Sequence, residues 1–222
     1  MLNSLLAYWK LDDTSGDFQD STASGIVLAD VGEDSADRGV AGKIGNCAGN
    51  NGGFVGLSAV VGDVLDGGFS ISFWIKSSTT DYFMLAAKAS PGYHGFLIAA
   101  QPGGEDESQG LCFVVYTGDV ENDGGYYGIV CPSICDGGWH HIVCVYTEDS
   151  IGIYGDGELI DSLPCAYGMS PSASDLVLFN NNDLNCAFSG SLDEVGIWTR
   201  LLSATEVGQL YHNGNGRAFD TF

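Results

Sequence analysis

Two aspartates stand where a strand pattern places apolar side chains. In the opening run LLAYWKLDD, Ala7, Trp9, Leu11 and Asp13 share one parity; near the C-terminus Asp193, Val195 and Ile197 share another. Alternate residues of a strand point to the same face, so each carboxylate sits on an apolar face at a strand end. A lone charge there is costly unless something pairs with it. A bound cation is one solution, since Ca2+ takes about six to eight oxygens from carboxylates, carbonyls and water. The competing reading puts these acids in water at strand ends, or has them closing turns through Asx bonds. Asp30, Glu33, Asp34 and Asp37 form a second acidic group, read as a solvated loop.

His140 and His141 follow Trp139. Neighbours on a strand point to opposite faces, so the two cannot easily grip one ion, and the pair reads as structural. The sequence contains no Gly-x-Ser-x-Gly nucleophile elbow and no P-loop or dinucleotide fingerprint. Glu105-Asp106-Glu107 is flanked by Gly and Ser and reads as a loop. Nothing supports an enzyme. Aromatic side chains suit binding better, because sugars stack their C–H faces on Tyr or Trp. The candidate ligand-binding residues are Trp74, Tyr82, Tyr93, His94, Tyr126 and Tyr127, all near expected loops or strand ends or on a polar strand face.

The elements that must position these residues are short β-type runs separated by turns, the pattern of a sandwich or barrel. In FSISFWIKSS, Phe69, Ile71, Phe73 and Ile75 fall on one face and Ser70, Ser72, Trp74 and Lys76 on the other. Further strands are expected at 5–11, 82–87, 95–100, 111–117, 126–131, 140–147, 150–162, 175–179 and 192–198. Asp156-Gly157 supplies a hairpin turn. One helix is expected after Ser203, whose Ser-x-x-Glu spacing to Glu206 is a capping box. Val207, Leu210 and Tyr211 share its face, and Gly214 is its expected terminator. The sandwich is expected to span residues 1–213, with a tail at 214–222.

The chain carries seven Lys and Arg against 29 Asp and Glu, a formal net charge of −22. Such a surface repels phosphate backbones and anionic headgroups, so no nucleic acid and no membrane insertion are expected. No apolar run approaches the ~20 residues of a spanning helix, and no secretory signal is evident. An extracellular, cell-surface or virion-associated location is expected. The seven cysteines are an odd count, leaving at least one unpaired in a monomer. Cys131 with Cys135 and Cys165 with Cys186 could pair, whereas Cys112 and Cys144 sit in apolar runs as small hydrophobes.

Four segments, AYWKLDDTSGD with DSTASG, FSISFWIKS, GGWHHIVCVYTEDSIGIYGDGELI and FSGSLDEVGIWTRLLSATEVGQLY, together resemble the laminin-G-like, concanavalin A-like lectin domains, including their bacterial and viral branch. The resemblance implies an all-β, two-sheet antiparallel jelly-roll sandwich with a short C-terminal helix. It also implies a structural Ca2+ held by Asp12 or Asp13, Asp20 and Asp193, with carbonyls of residues 17–25 completing the shell. The glucanases that share this fold resemble one another in a Glu-x-Asp-x-Glu strand, and no such segment exists here. The expected function is a non-catalytic module recognising glycans or cell-surface polymers. The rival is a structural or assembly protein of a virion (a fibre, tail or capsid-decoration subunit) that uses the sandwich to contact other virion or surface proteins.

Overall fold

The computed structural model describes the 222-residue chain except residues 54, 62–64, 66, 80–82, 91–93, 102–109, 119–124 and 222. In chain order the strands are β1 (Leu5–Trp9), β2 (Ala29–Asp30), β3 (Asp37–Ala41), β4 (Asn46–Asn50), β5 (Leu57–Ala59), β6 (Phe69–Lys76), β7 (Phe83–Ser90) and β8 (His94–Gln101). They continue with β9 (Gly110–Thr117), β10 (Tyr126–Pro132), β11 (Trp139–Thr147), β12 (Ser150–Gly155), β13 (Glu158–Pro164), β14 (Leu176–Leu178) and β15 (Gly190–Trp198). Helix α1 (Ala204–Tyr211) follows.

The strands form two antiparallel sheets. One runs β13-β12-β11-β6-β15-β4-β3, with β1 also paired to β15; the other runs β10-β9-β8-β7-β14-β5-β2. The core lies between them. The odd residues Phe69, Ile71, Phe73 and Ile75 of β6 point inward, as the alternation requires, and meet Phe96 and Ile98 of β8 and Leu111, Phe113 and Val115 of β9 in one apolar cluster. The Phe69 ring centroid lies 4.8 Å from that of Phe96 and 6.2 Å from that of Phe113. The expected jelly-roll sandwich is therefore what the chain forms.

The first sheet has a second, smaller apolar layer on its outer face. Tyr8, Val143, Val145 and Trp198 point outward and are covered by Leu202, Val207 and Leu210 of α1 and its approach. The helix starts as the sequence indicates: the Ser203 side chain accepts from the Glu206 backbone N–H and the Glu206 side chain returns to the Ser203 N–H. It ends earlier than Gly214. His212 is in the left-handed conformation at φ 48° and donates its backbone N–H to the Gly208 carbonyl. The residues beyond fold back onto the sheet: Phe219 packs against the Tyr8 ring at 5.1 Å, and Asp220 pairs with Lys10 at 2.7 Å.

Two expectations need correction. Strands β2 to β5 lie between residues 29 and 59, where the sequence pattern indicates no strand, and β2 and the start of β3 fall on the acidic group read as loop; they are short, and NCAGN and DRGVA carry no apolar alternation to announce them. The structure forms no disulfide, so neither the Cys131–Cys135 nor the Cys165–Cys186 bond is made. Cys131 and Cys165 instead pack in the core as small hydrophobes, and burial pushes the Cys131 thiol up to about 11.

Candidate functional site

The outer face of the first sheet divides into a roofed part and an open part. Along β6 the outward residues are Ser70, Ser72, Trp74 and Lys76. The first three are at most 2% exposed. Ser70 accepts from the Leu202 N–H and donates to the Arg200 carbonyl. Ser72 bonds the His141 Nε2 at 2.9 Å. Trp74 lies beneath Tyr211, whose ring is stacked at 5.9 Å, and Lys43, whose Nζ sits 4.5 Å from the Trp74 ring. Gly216 closes the roof at φ 73°: a Cβ there would meet Ile44 at 2.8 Å and the Trp74 Nε1 at 3.3 Å. Trp74, expected to face a ligand, is thus sealed by the helix end and the returning tail.

Lys76 is the first outward residue of β6 beyond that roof, and it is exposed. Its register partner on β11 is Trp139, half-buried. Two residues further along, the partners Trp74 and His141 face outward with ring centroids 5.1 Å apart. Strand alternation therefore puts Trp139 on the same face as Lys76. Beside Lys76 opens a cleft of about 380 Å³. Lys76 to Thr79 line one side, Ser189, Gly190 and Ser191 its floor, Gly49, Asn50 and Asn51 of the β4 end and Asp37, Val40 and Ala41 of β3 the other side.

The cleft is held by its own polar framework. Buried Asn50 donates to the Phe188 and Gly53 carbonyls at 2.7 and 3.0 Å and accepts from Gly52 and Gly53. The Ser77 hydroxyl donates to the Ser189 carbonyl at 2.8 Å, and Gly137 donates to the Ser77 carbonyl. Asn51 Nδ2 holds Asp37 Oδ2 at 3.0 Å. The walls that remain are hydroxyls, amides, one acid and one ammonium beside the apolar Val40 and Ala41. Sequence reasoning placed Lys76 on the polar face but overlooked Trp139; the signal was its parity, two residues before His141.

The four aspartates expected to hold Ca2+ do separate jobs. Asp20 takes five donors: the Tyr8 and Thr22 N–H on Oδ1, and the Thr22 hydroxyl, Ser24 hydroxyl and Gly25 N–H on Oδ2. Burial opposes its charge, yet these bonds, led by Ser24 and Thr22, hold its pKa below the ordinary range. Asp12 accepts from the Asn46 N–H at 2.7 Å and Asp13 from the Gln19 N–H at 3.0 Å. Asp193 Oδ2 accepts from the Lys43 and Ile44 N–H at 2.7 and 2.9 Å. Among the described residues no three of Asp, Glu, His and Cys come together as a metal-holding group. In this arrangement each of the four accepts hydrogen bonds from a different set of backbone N–H groups.

The unusual carboxylate is the neighbour of Asp193. The first residues of β15, Gly190–Leu192, pair with β4, whereas Val195–Trp198 pair with β1. Asp193 and Glu194 occupy the changeover, in a bulge where Glu194 has φ 51°. Both are buried, at 0% and 3% exposure, and Asp193 Oδ1 and Glu194 Oε1 have no hydrogen-bond partner. The Tyr8 hydroxyl donates to Glu194 Oε2 at 2.5 Å. Burial, reinforced by the charge of Glu194, pushes Asp193 up to about 8 against the pull of the Ile44 and Lys43 N–H groups. Burial pushes Glu194 up to about 7. Gly42 makes room: a Cβ there would come within 2.6 Å of Asp193 Oδ2. Neither carboxyl is among the residues that line the cleft beside Lys76.

His141 is buried and its pKa is lowered to about 3 by burial, so it stays neutral in the roof. His140 lies between Asp156 and Asp136 at 2.8 and 3.1 Å; burial opposes its charge, but the two acids raise its pKa. Of the remaining expected ligand contacts, Tyr82 and Tyr93 lie outside the described residues. His94 Nδ1 bonds the Ser170 hydroxyl at 2.5 Å. Tyr127 accepts the Ala166 N–H on its hydroxyl. Tyr126 is 55% exposed and meets Tyr116 edge-on at 6.4 Å, on the opposite sheet from the cleft.

Residues 49–208 match the Laminin_G_3 family, described as the concanavalin A-like lectin/glucanases superfamily. A curated relative is the sushi, von Willebrand factor type A, EGF and pentraxin domain-containing protein 1 of Rattus norvegicus, 36% identical over 94 residues, covering 36% of this chain and 3% of that protein. Similar solved structures include the binding domain of botulinum neurotoxin serotype D, with TM-score 0.73 and 13% identity over 95% of this chain and 52% of that one. Another concerns botulinum neurotoxin type C, whose cell entry is described as dependent on interaction with two ganglioside molecules, with TM-score 0.72 and 13% identity over 97% and 52%. A third is the binding domain of botulinum neurotoxin DC in complex with rat synaptotagmin II, with TM-score 0.73 and 12% identity over 98% and 53%. The chain spans about half the length of these structures, and at such identity the likeness is one of fold.

Proposed function

We propose, for a chain that belongs to the Laminin_G_3 family, that it is a non-catalytic module which binds glycans of a cell-surface or extracellular polymer in the cleft beside β6. The observation that carries this reading is the cross-strand pair of Trp139 and Lys76, of which Lys76 lines the preformed cleft. Ligand sites combine an apolar platform with a few placed polar groups. Here half-buried Trp139 beside Lys76 offers the platform, and Asn51, Ser78 and Ser191 of the cleft lining offer hydrogen-bonding groups. The similar structures named for gangliosides and for a complex with synaptotagmin II support a binding role without naming this chain's ligand. The test is a screen of immobilised oligosaccharides with the purified chain and its Trp139→Ala variant. Selective binding by the wild type that the variant loses, with an unchanged circular dichroism spectrum, supports the reading. Binding that survives the variant unchanged moves the site elsewhere.

A second reading, an assembly subunit of a virion or surface structure, is favoured by one feature. Strand β13 is a sheet edge and leaves Leu159, Ile160 and Leu163 37–53% exposed. Open edges of this kind template further pairing. A native mass at a multiple of the 23.3 kDa chain that Leu159→Lys returns to monomer supports this alternative; a monomer at every concentration removes it.

A further inference from the structure

The basic residues of this acidic chain point to a narrower ligand class, an inference that rests on the glycan reading above. Three of the seven are paired with acids: Lys10 with Asp220, Arg38 with Asp30 and Arg200 with Glu206. Lys43 lies over Trp74, Lys88 is buried against the Ser172 carbonyl, and Arg217 donates to the Thr221 carbonyl. Among the described residues, Lys76 is the exposed lysine left without an acidic, aromatic or carbonyl partner. Asp37, across the cleft, is engaged by Asn51 instead.

We infer that the cleft takes a glycan whose contacting sugar carries a single carboxylate, with the ring on Trp139 and the carboxylate on Lys76 Nζ. An ammonium facing a preformed cleft makes a charge-assisted bond that a neutral sugar cannot return. The same electrostatics set an upper limit on ligand charge. Lys76 neutralises one negative charge. Every further one meets the field of a chain whose net charge is −22, screened only over about 8 Å at physiological salt. Polysulfated chains and nucleic acids are therefore disfavoured, while a sialic or uronic acid residue on an otherwise neutral oligosaccharide fits.

The test is equilibrium binding of matched pairs: 3′-sialyllactose with lactose, uronic-acid-terminated oligosaccharides with their neutral counterparts, and a heparin oligosaccharide as polyanion. Each is titrated into wild type, Lys76→Gln and Lys76→Arg at low and physiological salt. At least one acidic sugar is expected to bind tenfold or more tighter than its neutral partner. Lys76→Gln closes that gap, Lys76→Arg keeps most of it, and heparin binds more weakly. Equal binding within every pair, unmoved by Lys76→Gln, overturns the acidic-sugar inference and leaves the glycan reading standing. Heparin binding tightest also overturns it. No binding by any member overturns both.

Discussion

Lys76 and Trp139 are register partners on β6 and β11, at the edge where the roof over the outer sheet face stops. The pair is placed by packing around it. Trp74 and His141, the next outward partners, are held under Tyr211, so the alternation leaves Lys76 and Trp139 as the first uncovered pair. Truncating Trp139 to Ala should weaken glycan binding at least tenfold, about 1.4 kcal/mol or more, as for an aromatic anchor in an interface. Trp139→Phe should retain most of the affinity. Calorimetric titration of the two variants checks this, and equal losses would assign Trp139 a purely structural role.

The bulge in β15 makes stability pH-dependent. Asp193 and Glu194 carry folded-state pKa values of about 8 and about 7 because burial disfavours their charge. In the unfolded chain both return to about 4. The folded chain then holds protons that the unfolded chain has released, so stability is highest below about pH 4 for these groups and falls as pH rises through 7 and 8. Urea midpoints from pH 5 to 9 should fall for the wild type and fall less for Asp193→Asn and Glu194→Gln. Parallel profiles in all three would contradict the assignment.

Asp20 should matter for folding and not for Ca2+. Asp20→Ala removes five hydrogen-bond acceptances, including that of the Tyr8 N–H inside the sandwich. A loss of about 2 kcal/mol is expected from orphaned donors, lowering Tm by about 4–8 °C in a chain of this size. Thermal unfolding of the wild type should be the same with millimolar Ca2+ and with excess chelator. A Ca2+-dependent rise in Tm would restore a cation to the loop.

Helix α1 roofs Trp74, so its cap is part of the roof. Ser203→Ala should cost about 1 kcal/mol. Hydrogen exchange would report the effect at 204–211, together with greater accessibility of the Trp74 indole. An unchanged exchange pattern would show that tertiary packing of Val207 and Leu210 alone sets the helix.

Much of the scaffold was legible in the sequence, and the site much less so. FSISFWIK announced β6 because its two faces differ in hydrophobicity, and Ser203 with Glu206 announced the helix because capping is a local interaction. DRGVA and NCAGN did not announce β3 and β4, since their pairing is decided by neighbours distant in sequence. Trp74 was misread as a ligand contact for the same reason. Polar company along a strand says which face a residue takes, not whether a helix 130 residues later will cover it. The carboxylates Asp12, Asp13, Asp20 and Asp193 looked like one constellation because each is an acid near an apolar run. Only the fold reveals that each serves a different stretch of backbone N–H groups.

The most direct test of the binding cleft is a two-dimensional NMR titration of the isotopically labelled chain with the tightest glycan found. The account predicts that the Trp139 indole N–H and the backbone amides of 49–51, 76–79 and 189–191 shift together and saturably, while Tyr116 and Tyr126 stay still. Shifts that instead cluster on Tyr126 and its neighbours, leaving Lys76 and Trp139 unmoved, would place recognition on the other sheet and contradict it.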